Sequence, residues 1–114
     1  MASSQTSQVF HVGSADFSDK VLQADTPVIV EFWAEWCTYC RALTPHFERL
    51  SNAYQGRLQF AMLNADDHHE IPIQYGIQGL PTLLIFHKGK EVARLIGPHP
   101  TRLQSQIDNV LARI

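Results

Sequence analysis

Ala34-Glu35-Trp36-Cys37-Thr38-Tyr39-Cys40-Arg41 holds both cysteines of the 114-residue chain. The thiols stand three positions apart, just behind a tryptophan. The stretch before them, Pro27-Val28-Ile29-Val30-Glu31-Phe32-Trp33, is apolar on both faces apart from one acid. That is the pattern of a central strand covered on two sides. A helix is expected from about Cys37 to about Tyr54, with Gly56 as its stop. Pro45 lies inside it and is expected to kink it.

Cysteines at i and i+3 on a helix share one face, one turn apart. At a helix start, unpaired backbone N–H groups and the dipole favour a thiolate. Free cysteine has a pKa of about 8.5, and helix N-termini with C-x-x-C spacing lower it. The thiolate is the nucleophile of disulfide exchange. Cys37 would then attack a partner's disulfide, and Cys40, deeper in the turn, would resolve the mixed disulfide. Two other uses compete. A structural zinc site needs four ligands, usually from two such pairs. This chain has one pair, and none of His11, His46, His68, His69, His87 and His99 follows the cysteines at metal-ligand spacing. Two inert core cysteines are the remaining possibility.

The flanking sequence reads as alternating strands and helices. Gln8 to Val12 is expected to form a short strand. Ser14 or Asp16 is expected to cap a helix reaching about Ala24, with Phe17, Val21 and Leu22 on one face. Leu58 to Asn64 reads as a second buried strand, and Asp66 to Tyr75 as a short helix ending at Gly76. Thr82 to His87 and Glu91 to Ile96 read as a hairpin around His87-Lys88-Gly89-Lys90. From Pro100 to the end, Leu103, Ile107, Val110, Leu111 and Ile114 form a one-sided helical stripe, and Pro100 suits a first helical turn. The result is an α/β sandwich around a mixed sheet.

Composition excludes several classes. The chain is 45% hydrophobic and 18% charged, which is ordinary globular usage rather than that of a disordered chain. One domain, residues 8–114, is expected, behind a frayed tail at 1–7. A formal charge of −2, with scattered basic residues, gives no case for nucleic acid or an anionic membrane. No apolar run approaches the ~20 residues of a transmembrane helix. The polar opening MASSQTSQ lacks the order of a signal peptide, so a cytoplasmic location is expected. In that compartment two cysteines point to catalysis or metal rather than a structural bridge, and so small a disulfide loop would contribute little by chain entropy.

VIVEFWAEWCTYC resembles the strand and W-C-x-x-C helix start of the thioredoxin family. GRLQFAMLNADD resembles that family's central strand, and YGIQGLPTLLIFHKGK its second signature, a G-hydrophobic-P-T loop before the edge hairpin. The resemblance runs from about residue 8 to the C-terminus with all elements in order. It implies the thioredoxin fold, a central mixed sheet of about five strands flanked by about four helices. It also implies a protein-disulfide oxidoreductase, most simply a reductant of client disulfides. By resemblance Pro81 is a cis-proline beside the disulfide, and the loop leaves the Leu80 backbone free to pair with an extended client segment. Trp36, Thr38, Tyr39, Gly79, Leu80, Pro81 and Gly97 would form the client surface around the thiols. No bound cofactor or metal is implied beyond the redox-active Cys37–Cys40 disulfide. The implied partners are disulfide-bearing client proteins and a separate flavin-dependent thioredoxin reductase, with a monomeric state expected.

Glu31 interrupts a buried apolar strand, and burial should raise its pKa. The family usually places an aspartate here, under the resolving cysteine, as a proton acceptor through water. Glutamate is one methylene longer and is expected to serve in that role. Three departures stand out. Met62 replaces a lysine that often pairs with the acid, which should push its pKa higher still. Thr38-Tyr39 replaces the usual Gly-Pro, and Pro98 removes a backbone donor near the client groove. Loss of the rigid proline changes the balance of dithiol and disulfide. A tyrosine before the second cysteine also occurs in glutaredoxins. A more oxidising, glutaredoxin-like or isomerase-like activity is therefore an alternative. A redox-independent client-binding or co-chaperone module is another.

Overall fold

Strand β2, Val28–Trp33, is the middle of five in one sheet. The computed structural model describes residues 7–114. The expected tail at 1–7 therefore lies outside the described residues except for Ser7, whose hydroxyl accepts the Val9 N–H at 3.0 Å.

The other strands are β1, Phe10–His11; β3, Gln59–Asn64; β4, Thr82–His87; and β5, Lys90–Ile96. β1 and β2 both run parallel to β3, β4 is antiparallel to β2, and β5 is antiparallel to β4. The β4–β5 hairpin turns through Lys88 (φ 54°) and Gly89 (φ 81°). Two central residues at positive φ match the right-handed twist of the strands they join. Glycine carries one of these positions without strain.

The α-helices are α1, Thr38–Ser51; α2, Glu70–Gln74; and α3, Pro100–Leu111. A single π-helical turn, Ser18–Leu22, replaces the longer first helix expected from Ser14 or Asp16 to Ala24. The Asp16 carboxylate accepts from the Gly13 N–H at 2.8 Å, so it fixes the loop before the turn instead of capping a helix. α1 ends three residues before Tyr54. The Tyr54 hydroxyl is instead held by Asp108 of α3 at 2.5 Å. α2 begins at Glu70 rather than Asp66, because Asn64 closes a turn on the Asp66 and Asp67 N–H groups.

Side chains alternate along β2, and the two faces meet different layers. Ile29 joins Phe60, Met62, Leu83 and Ile85 under Leu43 and Phe47 of α1 and Leu103, Ile107 and Val110 of α3. Val28, Val30 and Phe32 join Ala61, Leu63, Leu84 and Phe86 against Phe17, Val21 and Ile71. Glu31 has the same parity as Ile29, so the pleat turns it toward the α1 layer. Burying each large aliphatic side chain here contributes about 1.5–3 kcal/mol.

Ile107→Ala is expected to cost about 2–5 kcal/mol in urea unfolding, because its cavity lies inside the α3 contact. Ile73→Ala is expected to change stability by less than about 0.5 kcal/mol, since that side chain on α2 is 76% exposed.

Candidate functional site

β2 ends at Trp33, and Ala34 to Trp36 turn the chain into α1. The Cys37 N–H donates to the Ala34 carbonyl at 3.1 Å, and Arg41 donates to the Glu35 carbonyl. Cys37 is the N-cap of α1, with an extended backbone. Its sulfur accepts the Cys40 N–H at 3.2 Å, in the place a serine or aspartate oxygen usually takes. Cys37 and Cys40 form a disulfide. Both are buried, Cys40 the more deeply, at 1% exposed against 5%.

Glu31, on β2 beneath α1, is fully buried. Its neighbours in register are Met62 on β3 and Leu83 on β4, neither of which carries charge. The Thr44 hydroxyl lies 2.9 Å from Glu31 Oε2 and 2.9 Å from the Cys40 carbonyl oxygen. Glu31 Oε1 has no hydrogen-bond partner among the described residues. Its pKa is pushed up from 4.5 to about 7. Burial is the largest cause, the bond from Thr44 opposes it, and the charge of Glu48 adds a further upward push. The expected direction is thus found, with Met62 where a cation would have countered it. A cleft of about 360 Å³ opens beside this acid's layer, lined by His11, Trp33, Cys40, Arg41, Thr44, Pro45, Glu48 and Met62.

The second signature reaches the thiols from another side. The Leu80–Pro81 bond is cis. The Pro81 carbonyl accepts the Gly97 N–H at 2.9 Å, and the Gly79 carbonyl accepts the Thr82 hydroxyl at 2.6 Å. Tyr39 closes the circuit: its hydroxyl donates to the Pro98 carbonyl at 3.0 Å. The cysteine turn, the 97–98 loop and the cis-proline loop are thereby joined. Trp36 takes no part in that circuit. It is 67% exposed, and its indole N–H donates to Asp66 at 3.0 Å. Thr38 is exposed and Leu80 half-buried.

Sequence reading missed Thr44, Asp66 and the Tyr39–Pro98 bond. Of these, Thr44 had a signal: it stands four residues after Cys40, on the same helix face. Among the described residues, no three His, Cys, Asp or Glu side chains converge as a metal site would require.

The Thioredoxin family model matches residues 8–109. The chain belongs to the thioredoxin family. It is 43% identical over 89 residues to a thioredoxin of Rhodospirillum rubrum, covering 78% of this chain and 86% of that protein. It is 39% identical over 101 residues to a thioredoxin of Synechocystis sp., covering 88% and 94%. The crystal structure of Malassezia sympodialis thioredoxin superposes with a TM-score of 0.84 at 28% identity, covering 92% of each chain. With its C-x-x-C pair, this thioredoxin-family chain is a thiol-disulfide oxidoreductase, and its electron carrier is its own Cys37–Cys40 pair.

The raised acid predicts a pH signature of stability in the disulfide form. Folded Glu31 keeps its proton between about pH 4.5 and 7, where the unfolded chain has lost it. Its contribution is therefore complete below about 4.5 and is lost as pH rises through about 7. The expected loss is about 3 kcal/mol. Glu31→Gln should flatten that part of the profile in urea unfolding between pH 4.5 and 8, and an unchanged slope would assign it elsewhere.

Proposed function

We propose that this chain reduces disulfides of client proteins in the cytoplasm and is recycled by a separate thioredoxin reductase. The observation that carries the reading is the buried Cys37–Cys40 pair at the N-cap of α1, tied through Tyr39, Pro98 and Gly97 to the cis-Pro81 loop. A client strand laid along Leu80 would bring its disulfide to Cys37 by strand addition.

The steps balance on two electrons. In the dithiol form, the Cys40 N–H and the start of α1 favour the Cys37 thiolate. That thiolate attacks one client sulfur, forming a Cys37–client disulfide and expelling the other client sulfur as a thiolate, which takes a proton from water. Cys40 passes its thiol proton to the Glu31 carboxylate and attacks Cys37 Sγ. The Cys37–Cys40 disulfide forms, and the second client thiolate leaves and takes up a proton. The client has gained two electrons and the cysteine pair has lost them. An acid titrating near 7 is suited to that transfer at neutral pH.

Trp36, Thr38, Tyr39, Gly79, Leu80, Pro81 and Gly97 are the proposed client surface. The exposure of Trp36, Thr38, Tyr39 and Gly79 supports it. The chain is proposed to act as a monomer, and among the described residues no helix is long and apolar enough to cross a membrane.

Equilibration against glutathione and dithiothreitol buffers tests the direction. A potential near about −270 mV is expected for a reductant. A value near about −200 mV or higher would assign the more oxidising role. Cys37→Ser should abolish reduction of insulin disulfides, whereas a redox-independent binding module would retain its function.

A further inference from the structure

The Thr44 hydroxyl sits 2.9 Å from two acceptors, Glu31 Oε2 and the Cys40 carbonyl oxygen. It has one proton and can donate it to only one of them at a time. Two arrangements satisfy the geometry. With Glu31 charged, Thr44 donates to the carboxylate, and the Cys40 carbonyl keeps only the i+4 N–H of the helix ladder. With Glu31 neutral, the acid's O–H donates to Thr44 Oγ1, and Thr44 donates to the Cys40 carbonyl.

We propose that Thr44 is a positioning residue that turns its single proton between Glu31 and the Cys40 carbonyl, coupling the acid's charge to the backbone of the resolving cysteine. The inference rests on the reading of Glu31 as proton acceptor and adds the group that serves the acid in both of its states.

The surroundings leave that task to Thr44. Met62 and Leu83 flank Glu31 from β3 and β4, and the core layer over that face brings Leu103 and Ile107 from α3. From α1, Glu48 contributes only a like charge. His11, Arg41 and Glu48 line the cleft, and none hydrogen-bonds the acid. Thr44 is the only donor to the carboxylate among the described residues. Without its hydroxyl, a charged Glu31 has no hydrogen bond, a larger penalty than the one its neutral form incurs. The acid would then hold its proton to higher pH and accept the Cys40 proton less readily.

Thr44→Val keeps the shape and removes the hydroxyl; Thr44→Ser keeps the hydroxyl. ¹³C NMR of the Glu31 carboxyl carbon should show the valine variant titrating about one pH unit or more above the natural protein. The serine variant should titrate with the natural protein. In the natural protein, the ¹³C shift of the Cys40 carbonyl should follow the Glu31 midpoint, and in Thr44→Val it should lose that inflection. A Cys40 carbonyl indifferent to the Glu31 titration in the natural protein would overturn the coupling, even if the valine variant failed to fold. So would a valine variant that titrates unchanged. Single-turnover reduction of a disulfide-linked peptide across pH separates the two readings. If Glu31→Gln leaves that profile unmoved, the acceptor role of Glu31 falls, while the two NMR titrations still decide the Thr44 coupling.

Discussion

A carboxyl group sealed into the middle strand of the sheet governs the rest of this molecule. β2 is buried on both faces and paired on both edges, so a polar side chain at Glu31 cannot reach water by sliding or tilting. The alternation of the strand decides which layer it enters, and that layer holds α1, the helix that carries Cys40. The same six residues therefore build the core and turn the acid toward α1, the helix that opens at the cysteines. A one-residue slip in pairing would exchange Glu31 for Val30 or Phe32 and remove both the packing and the chemistry.

How much of this was legible depended on whether the signal was local. β2, β4 and α3 follow from apolar periodicity with clear punctuation: Pro27 before β2, Lys88-Gly89 after β4, Pro100 at the first turn of α3. The helix expected around Phe17 is longer than the observed turn because the apolar spacing fits either a helix or a single turn packed on a sheet. Tertiary contacts of Phe17 with Tyr75 and Phe86 decided for the turn. Cys37, Cys40, Glu31 and Pro81 were legible because each is an unusual residue in its local setting. Thr44 carried only the weak signal of its i+4 spacing from Cys40, because a threonine on an amphipathic helix is ordinary. Only the packing of α1 over β2 places its hydroxyl between two acceptors.

The departures from the usual family pattern have physical counterparts. The turn between the cysteines lacks proline, whose ring would restrain it locally. Tyr39 provides a tertiary restraint instead, reaching across to the Pro98 carbonyl. Pro98 has no N–H to offer a client, yet its carbonyl is the acceptor that anchors the turn. The cysteine turn and the groove loop are thus mechanically linked, so a client that displaces the 97–98 loop also disturbs the residue before Cys40.

Met62 has the deeper consequence. A lysine opposite Glu31 would favour the charged form of the acid. With Met62 in register, no cation from β3 offsets the burial that holds the proton on the acid. Thr44 then becomes consequential because, among the described residues, it is the one polar group touching both the acid and the peptide of the cysteine. With Met62 opposite it, the partner that the acid finds is a hydroxyl that can turn rather than a fixed charge.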